Sequence, residues 1–248
     1  MAAEKTEAIV IRLADFSESS KVVTLMSRDF GKISALAKGA KRLKSAFESG
    51  LDLLSRCHIV FLPKGPGALD LLTESQLLQR FQPRPGSLPH LYSGYYVAEL
   101  LNALVEERDS HPNLFDIAVE TLDQLQSEAS PFVPITRFEL ALHAEIGQLP
   151  DLYSCTICHQ EMTSGQPGRF WVSQSGLICS NCGVSEYQAS ECAPETLDLL
   201  RHFVEWDGNQ LSGISVSPRQ KAEIRRFMTS AISALLGRRP KTLSMIQM

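Results

Sequence analysis

The hydrophobic period changes along the chain. Over residues 1–81 apolar positions come in short runs or alternate with polar ones, the two-residue period of strands. "TEAIVIRLADF" is rich in Ile and Val, "SKVVTLMSRDFG" runs to Gly31, and "KISALAKG" puts Ile33, Ala35 and Ala37 on one face. "CHIVFLPKG" and "LDLLTESQLLQ" follow, separated by the turn-forming "PKGPGA". Between the third and fourth strands, "RLKSAFESGLDLL" has the length of a short helix. Five strands with one helix after the third is the element order of an OB-fold, a small Greek-key barrel that binds oligonucleotides in many proteins. Small barrels of other topologies share that order.

"QPRPGSLP" marks a boundary, and the period then becomes helical. "HLYSGYYVAELLNALVEER" sets Tyr92, Tyr96, Leu100 and Leu104 near one stripe, which predicts a core helix. "NLFDIAVETLDQLQ" predicts a second, with Leu114, Ile117, Thr121, Leu122 and Leu125 inward. Pro131 and Pro134 then separate it from "ITRFELALHAEIGQL", where Phe138, Leu142 and Ile146 recur and Gly147 supplies a stop. Residues 151–185 lose this period. It resumes in "APETLDLLRHFVEWDG" and in "SPRQKAEIRRFMTSAISALLG". In the latter, Ser217 suits an N-cap, Pro218 the first turn, Gln220 a capping box and Gly237 the C-terminal stop.

Charge changes the picture. The 248 residues carry a formal net charge of −4, but residues 1–80 are net +3, residues 81–218 net −13 and residues 219–248 net +6. Two basic ends flank an acidic middle, which suggests a polyanion partner for the ends. Lys38, Lys41, Arg42 and Lys44 stand together with no acid among them, straight after the third strand. Arg225, Arg226, Arg238, Arg239 and Lys241 form a second group, some of which could instead complement the C-terminal dipole of their helix. A run of charge is by itself also compatible with plain solvated surface. No apolar run approaches the roughly 20 residues of a membrane-spanning helix, and no secretory signal is visible, so the cytoplasm is expected.

Cysteine spacing adds chemistry. Cys155-x-x-Cys158 and Cys179-x-x-Cys182 are two knuckles separated by a loop containing Gly165, Pro167, Gly168, Gly176 and the strand-like "RFWVS". Two such knuckles supply four sulfurs in a tetrahedron, the closed geometry of one structural zinc ion. The segment predicts a zinc ribbon with too few apolar residues to fold without metal. A pair of redox dithiols fits two matched knuckles poorly. His159 could substitute as a ligand but suits the surface better. Cys57 reads as a buried small hydrophobe, and Cys192 has no assigned role. No phosphate-binding loop, dinucleotide fingerprint, zinc-protease helix or nucleophile elbow is present, so a binding protein is expected rather than an enzyme.

These stretches, taken in order, resemble one family. Glu18-x-x-Lys21-Val22-Val23, Gly31 and Ala37-Lys38-Gly39-Ala40-Lys41-Arg42 match the N-terminal pattern of RecO, the bacterial recombination mediators. "RFELALHAEIGQLPDLYSCTIC", "GLICSNCG" and "LLGRRPKTL" continue the match to near the C-terminus. Many relatives have glycine where His159 stands, and some lack the cysteines altogether.

The resemblance implies an α+β chain. An OB-fold DNA-binding domain would occupy residues 1–81 and a helical domain residues 82–150. A four-cysteine zinc module would follow at 151–185, and the rest of the helical domain, with its basic end, at 186–248. It implies binding of single- and double-stranded DNA, annealing of complementary strands, and loading of RecA onto strands coated by single-strand-binding protein. The implied partners are RecR and the acidic C-terminal tail of single-strand-binding protein, in the bacterial cytoplasm near the nucleoid. The cations offered to DNA are Arg12, Lys21, Lys38, Lys41, Arg42, Lys44, Arg238, Arg239 and Lys241; the zinc ligands are Cys155, Cys158, Cys179 and Cys182. The alternatives are a zinc-stabilised protein-interaction scaffold without annealing activity, and a nuclease or hydrolase using the acids of the middle segment.

Overall fold

The structure is a computed structural model describing residues 2–42, 45, 47, 51–65, 67–171, 176–182, 189–205 and 214–246. It divides into two compact units, residues 1–131 with 242–247, and residues 132–241.

In the first unit, strands β1 (Glu4–Asp15), β2 (Lys21–Ser27), β3 (Gly31–Ala37), β4 (Arg56–Leu62) and β5 (Asp70–Gln79) close a barrel in the order β1-β2-β3-β5-β4. All neighbours are antiparallel except β3 and β5, whose parallel pairing of Ala35 with Asp70 through Ala37 with Leu72 completes the ring. This is the expected OB-type barrel. Its interior holds Ala8, Val10, Val23, Leu25, Ile33, Ala35, Ala37, Cys57, Ile59, Phe61 and Leu72, with Phe47 and Leu51 in the same cluster. The alternation of β3 is visible in burial, with Ile33, Ala35 and Ala37 inside and Lys32, Ser34 and Leu36 part-exposed. The helix expected between the third and fourth strands falls largely outside the described residues.

β1 is buried on both faces in its middle, over Ala8–Ile11. Ala8 and Val10 face the barrel interior, while Ile9 and Ile11 are also buried, at 0% and 4% exposure. A bulge then breaks the register: Val10 pairs with Leu25, but Arg12, not Ile11, pairs with Thr24. Beyond it, Leu13 packs on the barrel core and Arg12 is turned outward.

The first unit does not stop at the proline-rich segment. Helices α1 (Leu88–Leu104) and α2 (Pro112–Ser127) belong to it. α1 is buried along Tyr96, Val97, Leu100 and Leu101, and packs against β1 and β2. In α2, Phe115 and Ala118 are buried and Ile117 only partly so. After α1 the chain bonds to β3, with Arg108 N–H donating to the Lys32 carbonyl at 3.1 Å, and Arg108 pairs with the buried Asp70 carboxylate. A short 3-10 helix, Thr242–Met245, returns to this unit; Thr242 N–H and Oγ1 donate to Glu99 Oε2 at 2.9 and 2.6 Å.

The second unit holds α3 (Phe132–Glu145), β6 (Gly168–Trp171), β7 (Gly176–Cys179), β8 (Ala189–Cys192), α4 (Pro194–Glu205) and α5 (Pro218–Leu236). Pro134 lies inside the first turn of α3 rather than before the helix, at a position where its missing N–H would have no helical partner anyway. α5 has the expected ends: Ser217 and Gln220 form a reciprocal capping box, and Gly237 closes the helix at φ 64°. The strands form a sheet ordered β7-β6-β8, so the ribbon extends past residue 185 to Cys192. Its residues Cys155, Met162, Phe170, Leu177 and Ile178 share one buried cluster with Leu140, Leu200, Phe203, Ile224 and Phe227 of the helices. Phe170 stacks on Phe227 with ring centroids 3.8 Å apart.

Gly31 starts β3 at φ 64°, and a methyl group there would overlap the backbone of Asp109. Gly31→Ala meets both an unfavourable backbone conformation and a rigid obstacle. We expect it to lower the stability of the first unit by about 2–4 kcal/mol, measured as a fall in the denaturant midpoint of the barrel transition.

Candidate metal centre and candidate nucleic-acid face

The four knuckle cysteines converge. A zinc–sulfur bond is about 2.3 Å long, so two sulfurs of a zinc tetrahedron stand about 3.8 Å apart. Cys158 Sγ and Cys179 Sγ are 3.8 Å apart, and all four sulfurs lie within 4.8 Å of one another. The donor set therefore fits one tetrahedrally coordinated soft metal ion.

Local backbone bonding explains the convergence. In the first knuckle, Cys155 N–H donates to Gln160 O and His159 N–H to Cys155 O, at 2.9 and 2.8 Å. His159 takes φ 56°, the left-handed conformation that glycine adopts most easily, and remains exposed without joining the sulfur cluster. The second knuckle closes through Cys182 N–H to Cys179 O at 3.3 Å. Thr156 N–H donates to Leu177 O at 2.8 Å and Cys179 N–H to Cys155 Sγ at 3.4 Å, which joins the two knuckles. Gly176 is needed here, since a Cβ would overlap the Thr156 side chain.

The thiols do not ionise alike. Burial opposes ionisation of Cys155, but the backbone N–H groups of Cys158, Cys179 and Ile157 outweigh it and bring Cys155 down to about 6. Cys182, hydrogen-bonded to Cys158 and Cys179, is pushed up to about 12. Charge on one sulfur is repelled by charge on the next, so four thiolates coexist only around a cation. The remaining two cysteines stand apart. Cys57 is inside the barrel, and buried Cys192, pushed up to about 12 by desolvation, donates to Ala193 O at 3.6 Å.

The candidate DNA cations separate into two groups. In the barrel unit, Arg12, Lys38 and Arg42 are exposed and Lys21 is part-exposed. The loop after β3 is tied to the loop after β1: Gly39 N–H donates to Ser20 Oγ at 3.4 Å and Lys41 N–H to Ser19 O at 3.1 Å. Gly39 is at φ 74°, so this turn itself calls for glycine. Lys41 Nζ turns back to Asp15 Oδ2 at 2.9 Å, and the bond from Lys41 holds the Asp15 carboxyl below its ordinary range. Lys44 lies outside the described residues. Arg238, Arg239 and Lys241 are exposed, in the second unit. Arg225 is taken out of the C-terminal cation group because its guanidinium pairs with the fully buried Glu139, Nη1 to Oε1 at 3.1 Å, and lies over Phe132.

Sequence reasoning missed two residues of this face, Asp15 and Phe16. The lone aromatic in the polar stretch "ADFSESS" was the available signal, and it is 61% exposed.

The N-terminal model of recombination protein O matches residues 1–81, and the C-terminal model of the same protein matches residues 86–244. The chain belongs to the RecO family. It is 40% identical to the DNA repair protein RecO of Rhodopirellula baltica, over 79% of this chain and 73% of that protein. Identity to the RecO of Halalkalibacterium halodurans is 31%, over 90% of this chain and 86% of the relative. The RecO of a Roseiflexus species is 28% identical, over 98% and 84% respectively. RecO membership gives the chain a general role in DNA repair and recombination, as a mediator rather than a catalyst. Among the described residues no helix is long and apolar enough to cross a membrane.

The metal centre can be tested without assuming its native ion. Cobalt(II) added to metal-free, reduced protein should bind at one equivalent per chain and give the visible absorption of a tetrahedral tetrathiolate site. Cys182→Ser should remove that spectrum, while Cys192→Ser should leave it intact.

Proposed function

We propose that this chain binds single- and double-stranded DNA through the outer face of its barrel, anneals complementary strands, and helps load RecA onto strands coated by single-strand-binding protein. RecR and the acidic tail of single-strand-binding protein would be its partners, and the bacterial cytoplasm near the nucleoid its place of action. The observation that carries this reading is the clustering of Arg12, Lys21, Lys38, Lys41 and Arg42 on one region of an OB-type barrel in a RecO-family chain. OB-folds bind oligonucleotides through the face of their second and third strands and the adjoining loops. Lys44 extends the same cluster in sequence, and Arg238, Arg239 and Lys241 would add phosphate contacts from the second unit.

The metal would be one structural zinc ion per chain, held by Cys155, Cys158, Cys179 and Cys182. Four protein thiolates leave no open position for a reacting water, so its contribution is to fold the ribbon. Because the ribbon's apolar residues belong to the helical core, loss of zinc should loosen the whole of residues 132–241 and not the ribbon alone. The barrel has its own core and should persist. Cys179→Ser protein should contain no zinc by metal analysis, lose its helical unfolding transition and retain the barrel transition; wild-type protein prepared without chelator, fully reduced and yet free of zinc, would refute the assignment.

The central experiment is annealing of complementary strands pre-coated with single-strand-binding protein. Acceleration by the chain supports the mediator reading; none would favour the zinc-stabilised scaffold.

Phosphate contact supplies a second measurement. Each contact on a single strand contributes roughly −0.7 to the slope of log affinity against log salt. Because Lys41 is already engaged by Asp15, replacing Lys38, Lys41, Arg42 and Lys44 together by Ala should flatten that slope by up to about 2 units, with zinc content unchanged. Asp15→Asn should do the opposite. It releases Lys41 from its ion pair and should steepen the slope by up to about 0.7, with tighter binding at low salt.

A further inference from the structure

Phe16 is a large aromatic side chain held in solvent by a well-bonded loop. Its N–H donates to Ser20 O at 3.0 Å, Ser17 N–H donates to the same carbonyl at 3.2 Å, and Ser20 N–H to Ser17 Oγ at 3.2 Å. The register places what lies beside it. Outside the barrel, Ala14 pairs with Val22 and Val22 with Leu36, and all three are part-exposed. β1 ends at Asp15 and β3 at Ala37, but just beyond those ends Phe16 N–H and Gly39 N–H both bond to Ser20, so the alternation carried one step past the strands would bring Phe16 and Lys38 to the same outer face, roughly 10 Å apart. Phe16 therefore caps a small apolar ledge whose border carries Arg12, Lys38 and Arg42, with Lys41 bonded to Asp15 at its edge. Among the described residues the acids of this neighbourhood include Asp15, already paired with a lysine, Glu18, and Glu107, which accepts from Ser34 Oγ at 2.8 Å.

We propose that Phe16 is a base-stacking platform and that it gives this face its preference for unpaired strand. The inference rests on the DNA-binding reading of the same face. The positive border identifies the occupant as a polyanion, and the polyanion that also presents flat apolar surfaces is a nucleic acid with its bases exposed. Single-strand sites combine these two elements, cations along the backbone and an aromatic ring under a base. In a duplex each base face is covered by its neighbours, so the ring meets an exposed base face only at an end. The cations serve both forms of DNA; Phe16 serves one.

The test compares a labelled oligo-dT, the same backbone with abasic sites, and a duplex, each titrated with the full-length chain. Wild type should favour oligo-dT over the abasic strand. Phe16→Ala should weaken oligo-dT binding roughly 10-fold, to near the abasic level, while duplex affinity and the salt slope stay as they are. Phe16→Trp should restore the preference. Phe16→Ala protein that keeps the wild-type ratio of oligo-dT to abasic affinity would overturn the proposal. So would an equal loss on all three ligands, since that would make the ring a support for the loop. Failure of the wild-type chain to bind any of the three would overturn the DNA reading itself, and this inference with it.

Discussion

The barrel face depends on one extra residue in one strand. Over Ala8–Ile11, the even-numbered residues of β1 face the barrel interior and Ile9 and Ile11 lie in a second buried layer, in a strand that α1 packs against. A regular strand would carry this parity onward and send Arg12 into an apolar interior, where an unpaired guanidinium would cost several kcal/mol. The bulge between Val10 and Arg12 reverses the parity. Leu13 then faces the core, and Arg12, Ala14 and Phe16 face out. One strand thus serves as a doubly buried stave in its middle and as the edge of an open surface at its C-terminal end. The strong local twist of a bulge also suits a small closed barrel.

In the second unit the corresponding constraint is electrostatic. Four cysteines brought within a few ångströms cannot all ionise unaided: the same packing that favours the Cys155 thiolate pushes the Cys182 thiol far up. A bound divalent cation would turn that repulsion into attraction and lock together two turns otherwise joined by backbone hydrogen bonds. Its effect reaches further because Phe170, Leu177 and Ile178 do not make a private core. They are packed among the side chains of α3, α4 and α5. Ribbon and helices then fold as one body, and Gly176 and His159, which shape the knuckles, bear on the stability of all of it.

Much of this was legible in the sequence, for local reasons. The alternation of Ile33, Ala35 and Ala37, the knuckle spacing, and the Ser217–Gln220 box each follow from a short-range rule that one stretch of chain satisfies by itself. Three features followed other rules. Pro134 suggested a break but sits in a first turn, where proline has no helical hydrogen bond to lose. The proline-rich segment after residue 81 marks the change from strands to helices, yet α1 and α2 remain in one compact unit with the barrel, α1 packing on β1 and β2. A boundary of that kind depends on which apolar faces meet, and no local pattern encodes it. Arg225 looked like one member of a basic cluster, yet its partner Glu139 is far away in the sequence, on another helix. On the candidate face, net charge revealed the cations but not their pairing with Asp15, nor the bulge that turns Arg12 outward.

How an acidic chain would gather a polyanion on the proposed face is a question of range. At physiological salt the Debye length is about 8 Å, so exposed acids further than that from the ledge contribute little to its potential. What a phosphate meets is set by the few charges it touches. The loop that carries Lys38, Lys41 and Arg42 is bonded through Ser19 and Ser20 to the loop after β1, so these cations would need little further ordering to meet a strand. Lysine and arginine side chains still have entropy to lose, and this limits what each contact contributes. Phe16 has only two rotatable side-chain bonds and a restrained backbone, so it can hold a base at lower entropic cost than another cation could hold a phosphate. On the proposed reading, a face built this way would bind backbone anywhere along a strand, yet favour the places where the bases are free.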